Sequence, residues 1–115
     1  MASLQKLNMP ELTQNPTLKE FQNYVAELET ERGFSHQTII DKCLLLGEEV
    51  GELFKAVRNS EGLTVDSNSN FTEIGDELTD IFIYICAIAN RKGVDLESAF
   101  LKKEKKNKQR VWKSV

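Results

Sequence analysis

Hydrophobic positions recur at helical spacing along nearly the whole chain, and polar residues punctuate them at four places. Leu18, Phe21, Val25 and Leu28 form one apolar side of a first predicted helix. It starts near Asn15 and Pro16, a cap residue followed by a proline at the first helical position, and runs to about Arg32 before Gly33. A second helix is predicted from Ser35 as N-cap to about Asn59. Its broad stripe comprises Ile39, Ile40, Cys43, Leu46, Val50, Leu53, Phe54 and Val57. Gly47 and Gly51 inside it each cost roughly 1 kcal/mol of helix propensity, which points to close helix packing there. The segment 60–70, SEGLTVDSNSN, has no apolar face and reads as a surface loop. Ile74, Leu78, Ile81, Phe82, Ile85, Ile88 and Ala89 define a third helix from Thr72 to about Lys92, with Gly93 as its left-handed terminator. Asp95 caps a fourth that contains Leu96, Ala99, Phe100 and Val111. Long helices with short connections imply an all-α, antiparallel four-helix bundle spanning residues 15–115 after an N-terminal extension, 1–14.

Length and composition narrow the picture. The 115 residues suffice for one domain, and 40% apolar with 29% charged residues is ordinary globular composition. The net charge of −3 argues against a nucleic-acid partner. No run is long enough to span a bilayer, and the polar, proline-containing start does not resemble a secretory signal, so the expectation is a cytoplasmic protein without a membrane partner. Cys43 and Cys86 stand far apart in apolar surroundings and read as buried, reduced thiols.

Chemistry enters where acids interrupt the apolar stripes. Glu48, Glu49 and Glu52 lie within GEEVGEL, and Glu77 and Asp80 within DELTDIF. At about 100° per residue, Glu49 and Glu52 share one face, as do Glu77 and Asp80, and both pairs border the surface that packs between helices. Any one such pair belongs more often to a solvated face, as Glu73 and Asp76 illustrate. Two pairs flanked by aliphatics on facing helices favour a shared site. Four carboxylates there would repel unless a cation lay among them. Hard oxygen donors without His or Cys suit Mg2+, with Mn2+ as a substitute, and open positions on such an ion are what a polyphosphate occupies. The basic end adds a second feature: residues 102–113 hold seven Lys or Arg against one acid, Glu104. Within it Lys103, Asn107 and Arg110 recur at i, i+4 and i+7 of one predicted helix, a row that could reach phosphate oxygens.

GEEVGELFKAV followed by EIGDELTDIFIYI resembles the E-E-x-x-E and E-x-x-D signature of the all-α nucleoside triphosphate pyrophosphatases, the MazG-like superfamily. The stretch DIFIYICAIANRKGVDLESAFLKKEKKNKQRVW is similar to the dCTP pyrophosphatase branch. The resemblance implies a homodimer or homotetramer that uses Mg2+ to hydrolyse a nucleoside triphosphate to the monophosphate and pyrophosphate, in the service of nucleotide-pool cleansing. It implies metal binding by Glu49, Glu52, Glu77 and Asp80, water activation by Glu49 with Glu48 beside it, and substrate contacts from Tyr84, Lys103, Asn107 and Arg110. Base contacts fall to Phe21, Tyr24, Phe34 or His36, unranked. Phosphoribosyl-ATP pyrophosphohydrolases and dimeric dUTPases share the acidic signature, although Tyr84 is followed here by Ile85 where the former carry His. A non-enzymatic helical assembly module is the remaining alternative.

Overall fold

A computed structural model describes residues 11–63 and 72–112. Among these every regular element is an α-helix: α1 (Leu18–Glu31), α2 (Ile39–Ser60), α3 (Ile74–Arg91) and α4 (Leu96–Asn107). Most of the 60–70 loop lies outside the described residues. No helix is long and apolar enough to cross a membrane.

Two helix starts fall later than the sequence suggests, for the same chemical reason. α1 is capped by Thr17, not Asn15. The Thr17 hydroxyl accepts from the Glu20 N–H at 3.1 Å, and the Glu20 carboxylate accepts from the Thr17 N–H at 3.1 Å. Asn15 instead takes a left-handed turn, φ 54°. α2 is capped by Thr38, not Ser35, through the same reciprocal pair with Asp41, at 3.1 and 2.8 Å. Each cap satisfies two backbone donors where Asn15 or Ser35 would satisfy one. The ends of α1 and α3 are as expected. Gly33 follows α1 at φ 74°, Gly93 follows α3 at φ 64°, and Val94 N–H reaches back to the Ala89 carbonyl at 2.9 Å.

α3 is the centre of the fold, packed against α2 on one side and α1 on the other, while α4 rests on α1. The core is Val25 and Leu28 of α1 against Cys86 and Ala87 of α3, with Phe21 and Phe82 meeting edge to face at 5.3 Å. Gln22 is buried in this layer with its amide fully engaged. It donates to Asn90 Oδ1 (3.1 Å) and the Val94 carbonyl (2.8 Å) and accepts from Leu96 N–H (2.9 Å), which fixes the α3–α4 connection to α1.

Several sequence expectations change here. The stripe on α2 is wider than the surface α3 covers, so Ile40 and Phe54 are 68% and 67% exposed and Leu44 beside them 70%. Cys43 shares that outer face and is exposed, unlike Cys86. Gly47 and Gly51 meet nothing that a methyl group would touch, so the close packing they suggested is absent within one chain. α4 stops at Asn107, leaving Val111 outside it and almost fully exposed. Like-charged lysines within a turn of one another oppose continuation, and no residue of α4 is buried to offset them.

Candidate active site

The longest interhelical surface, α2 on α3, carries the acids that border it. Glu49 of α2 and Glu77 and Asp80 of α3 bring one carboxylate oxygen each to within 4.8 Å of one another. Glu77 is buried, whereas Asp80 lies at the open side. The Glu49 carboxyl is pushed up to about 7, first by a hydrogen bond with Glu77, then by desolvation and by the charges of Asp80, Glu77 and Glu48. One proton is therefore held between two carboxyl groups near neutral pH. The other Glu77 oxygen, Oε2, is buried without a hydrogen-bond partner. An orphaned carboxylate oxygen and a shared proton mark a place where positive charge is missing. Three hard oxygen donors fit a divalent cation of the magnesium class. Glu52, one turn beyond Glu49, is half-buried and outside this trio, and Glu48 is exposed and acts on it only through its charge.

A cavity of about 160 Å³ opens beside the trio, with Glu49 and Asp80 at one end, Glu29, Lys42 and Phe34 at the other and Tyr84 between them, over walls of Leu28, Ile83 and Ala87. Burial first, and then the charges of Glu49 and Asp80, push the Tyr84 hydroxyl above its ordinary value, so it remains a neutral hydrogen-bond donor. Among the aromatic candidates the structure separates Phe34, which lines this cavity, from the rest. Phe21 is in the core, Tyr24 lines a different recess near Glu11, and His36 sits on the outside beside Asp41.

The far end of the cavity was not foreseen. Lys42, only 2% exposed, pairs with Glu29 at 3.1 Å and lies over the rings of Phe34 and Tyr84, 5.1 and 5.6 Å from their centroids. Glu29 is itself buried and receives Arg91 in a fork, with Nη2–Oε2 at 2.9 Å and Nη1–Oε1 at 3.2 Å. Arg91 also donates to the carbonyls of Gln37 and Phe34, both at 3.3 Å, and so holds the α1–α2 connection in place. A buried ammonium would cost several kcal/mol without such a partner. The available signal was spacing: Lys42 stands seven residues before Glu49, two turns along the same face of α2.

The basic row is not assembled. Lys103 is exposed on α4, Asn107 Nδ2 donates to Glu104 at 2.8 Å, and Arg110 lies past the helix end with its guanidinium 4.4 Å from the Trp112 ring centroid. Because α4 ends at Asn107, Arg110 does not continue the Lys103 face, and none of the three lines the cavity.

The MazG nucleotide pyrophosphohydrolase domain matches residues 34–113, a stretch that includes Phe34, Lys42, all the acids of the trio and Tyr84. Two curated relatives, dCTP pyrophosphatase 1 of Rattus norvegicus and of Mus musculus, are each 34% identical over 100 residues, covering 83% of this chain. The chain spans 59% of the length of these relatives.

Proposed function

Since the chain belongs to the MazG nucleotide pyrophosphohydrolase family, we propose that it hydrolyses nucleoside triphosphates to the monophosphate and pyrophosphate with the help of Mg2+. The carboxylate trio at the mouth of an aromatic and apolar cavity is the observation that carries this reading. It favours an enzyme over a helical assembly module, and the similarity to proteins named dCTP pyrophosphatase supports trying deoxynucleotides first.

Glu49, Glu77 and Asp80 would hold the metal, with Glu52 as a fourth carboxylate one turn along α2. A bound divalent ion would neutralise charge on the phosphate chain. Glu49, released from the proton it shares with Glu77, is positioned to accept a proton from the water that attacks the α-phosphorus, with Glu48 reinforcing its basicity through charge. The α–β anhydride bond breaks and pyrophosphate leaves. Tyr84 donates to a phosphate or sugar oxygen, and the nucleoside lies along the cavity toward Phe34, because Leu28, Ile83 and Ala87 suit a base and not a phosphate.

The outer face of α2, with Ile40, Leu44 and Phe54 exposed and Gly47 and Gly51 open to close approach, is suited to a second copy of the chain. On this reading Lys103, Asn107 and Arg110 reach phosphates across such an interface, since α4 does not approach the cavity of its own chain.

Phosphorus NMR of reactions with the common deoxynucleoside triphosphates across a magnesium titration tests the proposal. Monophosphate and pyrophosphate in equal amounts, and none without metal, are expected. Release of orthophosphate directly from the triphosphate, or no turnover of any of them, would overturn it.

A further inference from the structure

The proposed reaction accounts for the acidic end of the cavity and leaves the buried charges at its other end without a task. A structural tie between α1 and α3 needs only Glu29 and Arg91, which already form a complete fork. Lys42 is additional. Its ammonium has three N–H groups and one hydrogen-bond acceptor, the Glu29 carboxylate at 3.1 Å; the Phe34 and Tyr84 centroids, at 5.1 and 5.6 Å, attract the charge without taking an N–H, so donor capacity is left toward the cavity it lines. Glu29, which lines the same cavity, receives only the 3.2 Å contact from Arg91 at Oε1, and so keeps acceptor capacity there. Lys42 is two helical turns, about 10 Å, from Glu49 along one face of α2, and the walls between are apolar.

We propose that Glu29 and Lys42 form a base-reading pair: the carboxylate accepts from an N–H of the nucleobase while the ammonium donates to the neighbouring ring nitrogen or carbonyl, with the Phe34 ring bordering the base. This rests on the nucleotide reading above and adds the residues that would set its base preference. Glu29 is locked by Arg91, and Lys42 is held between two rings, so acceptor and donor are presented in a fixed order. Amino-type edges, as in cytosine and adenine, place donor and acceptor in one order, and oxo-type edges, as in uracil and guanine, in the reverse. Uracil repeats the amino-type order only one position along its ring, at N3–H and O2, so a fixed pair separates the two classes where the place of the sugar is fixed as well. The wrong edge sets N–H against the ammonium and a carbonyl against the carboxylate, and leaves buried charges unpaired.

The decisive comparison uses dCMP and dUMP, which have nearly the same shape and opposite edges, with deoxyribose 5-phosphate as the base-free reference. Binding is measured by calorimetry in magnesium buffer. The wild-type chain should bind one of dCMP and dUMP at least ~10-fold tighter than the other. Lys42→Met, which keeps the length of the side chain without its charge, should reduce that ratio to within about threefold. Glu29→Gln should narrow it as well, because an amide can present either a donor or an acceptor. A structural role would lower stability and all affinities together, leaving the ratio intact. Should Lys42→Met not fold, as judged by helicity, the wild-type ratio and Glu29→Gln still decide. Equal wild-type affinity for dCMP and dUMP, or a ratio that survives the substitutions, would overturn the pair while triphosphate hydrolysis still stood. Neither binding of any nucleotide nor hydrolysis would overturn both readings.

Discussion

α3 and α4 are consecutive helices, the second the more densely charged, with six Asp, Glu, Lys or Arg in 12 residues against four in 18, and their charges have opposite fates. The acids of α3 interleave with Ile74, Phe82 and Ile83, so packing those apolar side chains on α1 and α2 carries Glu77 and Asp80 to the edge of the core, where Glu49 meets them. The lysines of α4 accompany no buried residue, and they stay in water. A charge acquires a site when apolar neighbours oblige it to share a desolvated place with others. A run of charge with no apolar anchor remains a solvated face, whatever its spacing.

The largest test of this contrast is Asp80→Asn. It keeps size and hydrogen bonding and removes one negative charge from the trio, so turnover of the preferred triphosphate should fall by about two orders of magnitude or more while helicity by circular dichroism is unchanged. Retained kcat at saturating magnesium would remove the trio from the chemistry.

A smaller effect concerns stability. Glu49 titrates in the folded chain at about 7 against its ordinary 4.5, so the folded state binds that proton more tightly. The associated stabilisation is complete below the ordinary value, fades as pH rises through 7, and is gone above it. In chelator, Tm should therefore fall across this window. Millimolar magnesium should raise Tm by several degrees at roughly pH 8 and hardly at all at roughly pH 5, where protons occupy the site. A magnesium effect independent of pH would separate metal binding from Glu49.

The smallest expected effect lies on the basic side. Arg110→Ala should raise KM by less than about tenfold with kcat nearly unchanged, and Lys105→Ala should change only the salt dependence. Leu44→Asp, which puts charge on the exposed α2 face, should reduce the assembly in sedimentation and raise KM in the same way, if the basic row acts from a second copy. Equal damage from Lys105→Ala and Arg110→Ala would show that α4 contributes only a diffuse field.

Periodicity of 3.6, glycine at helix ends and aspartate at the start of α4 are local properties, so the number, order and approximate length of the helices were legible from the residues. So was the candidacy of Glu49, Glu77 and Asp80, because acids that border an apolar stripe are carried inward with it. Cap choice was encoded too, in Thr17 with Glu20 and Thr38 with Asp41, although a proline at position 16 drew the boundary earlier. Tertiary packing alone decided the rest. Which part of the wide α2 stripe is covered depends on where α3 lies across it, and one chain leaves Ile40, Leu44 and Phe54 outside. That Phe34, and not Phe21 or Tyr24, reaches the cavity depends on the Arg91 bonds that hold the α1–α2 connection. The burial of Lys42 depends on Glu29, thirteen residues earlier on another helix, and on Arg91, far later on a third. No local pattern carries such a pairing, because its energy arises only when three helices exclude water from the same place.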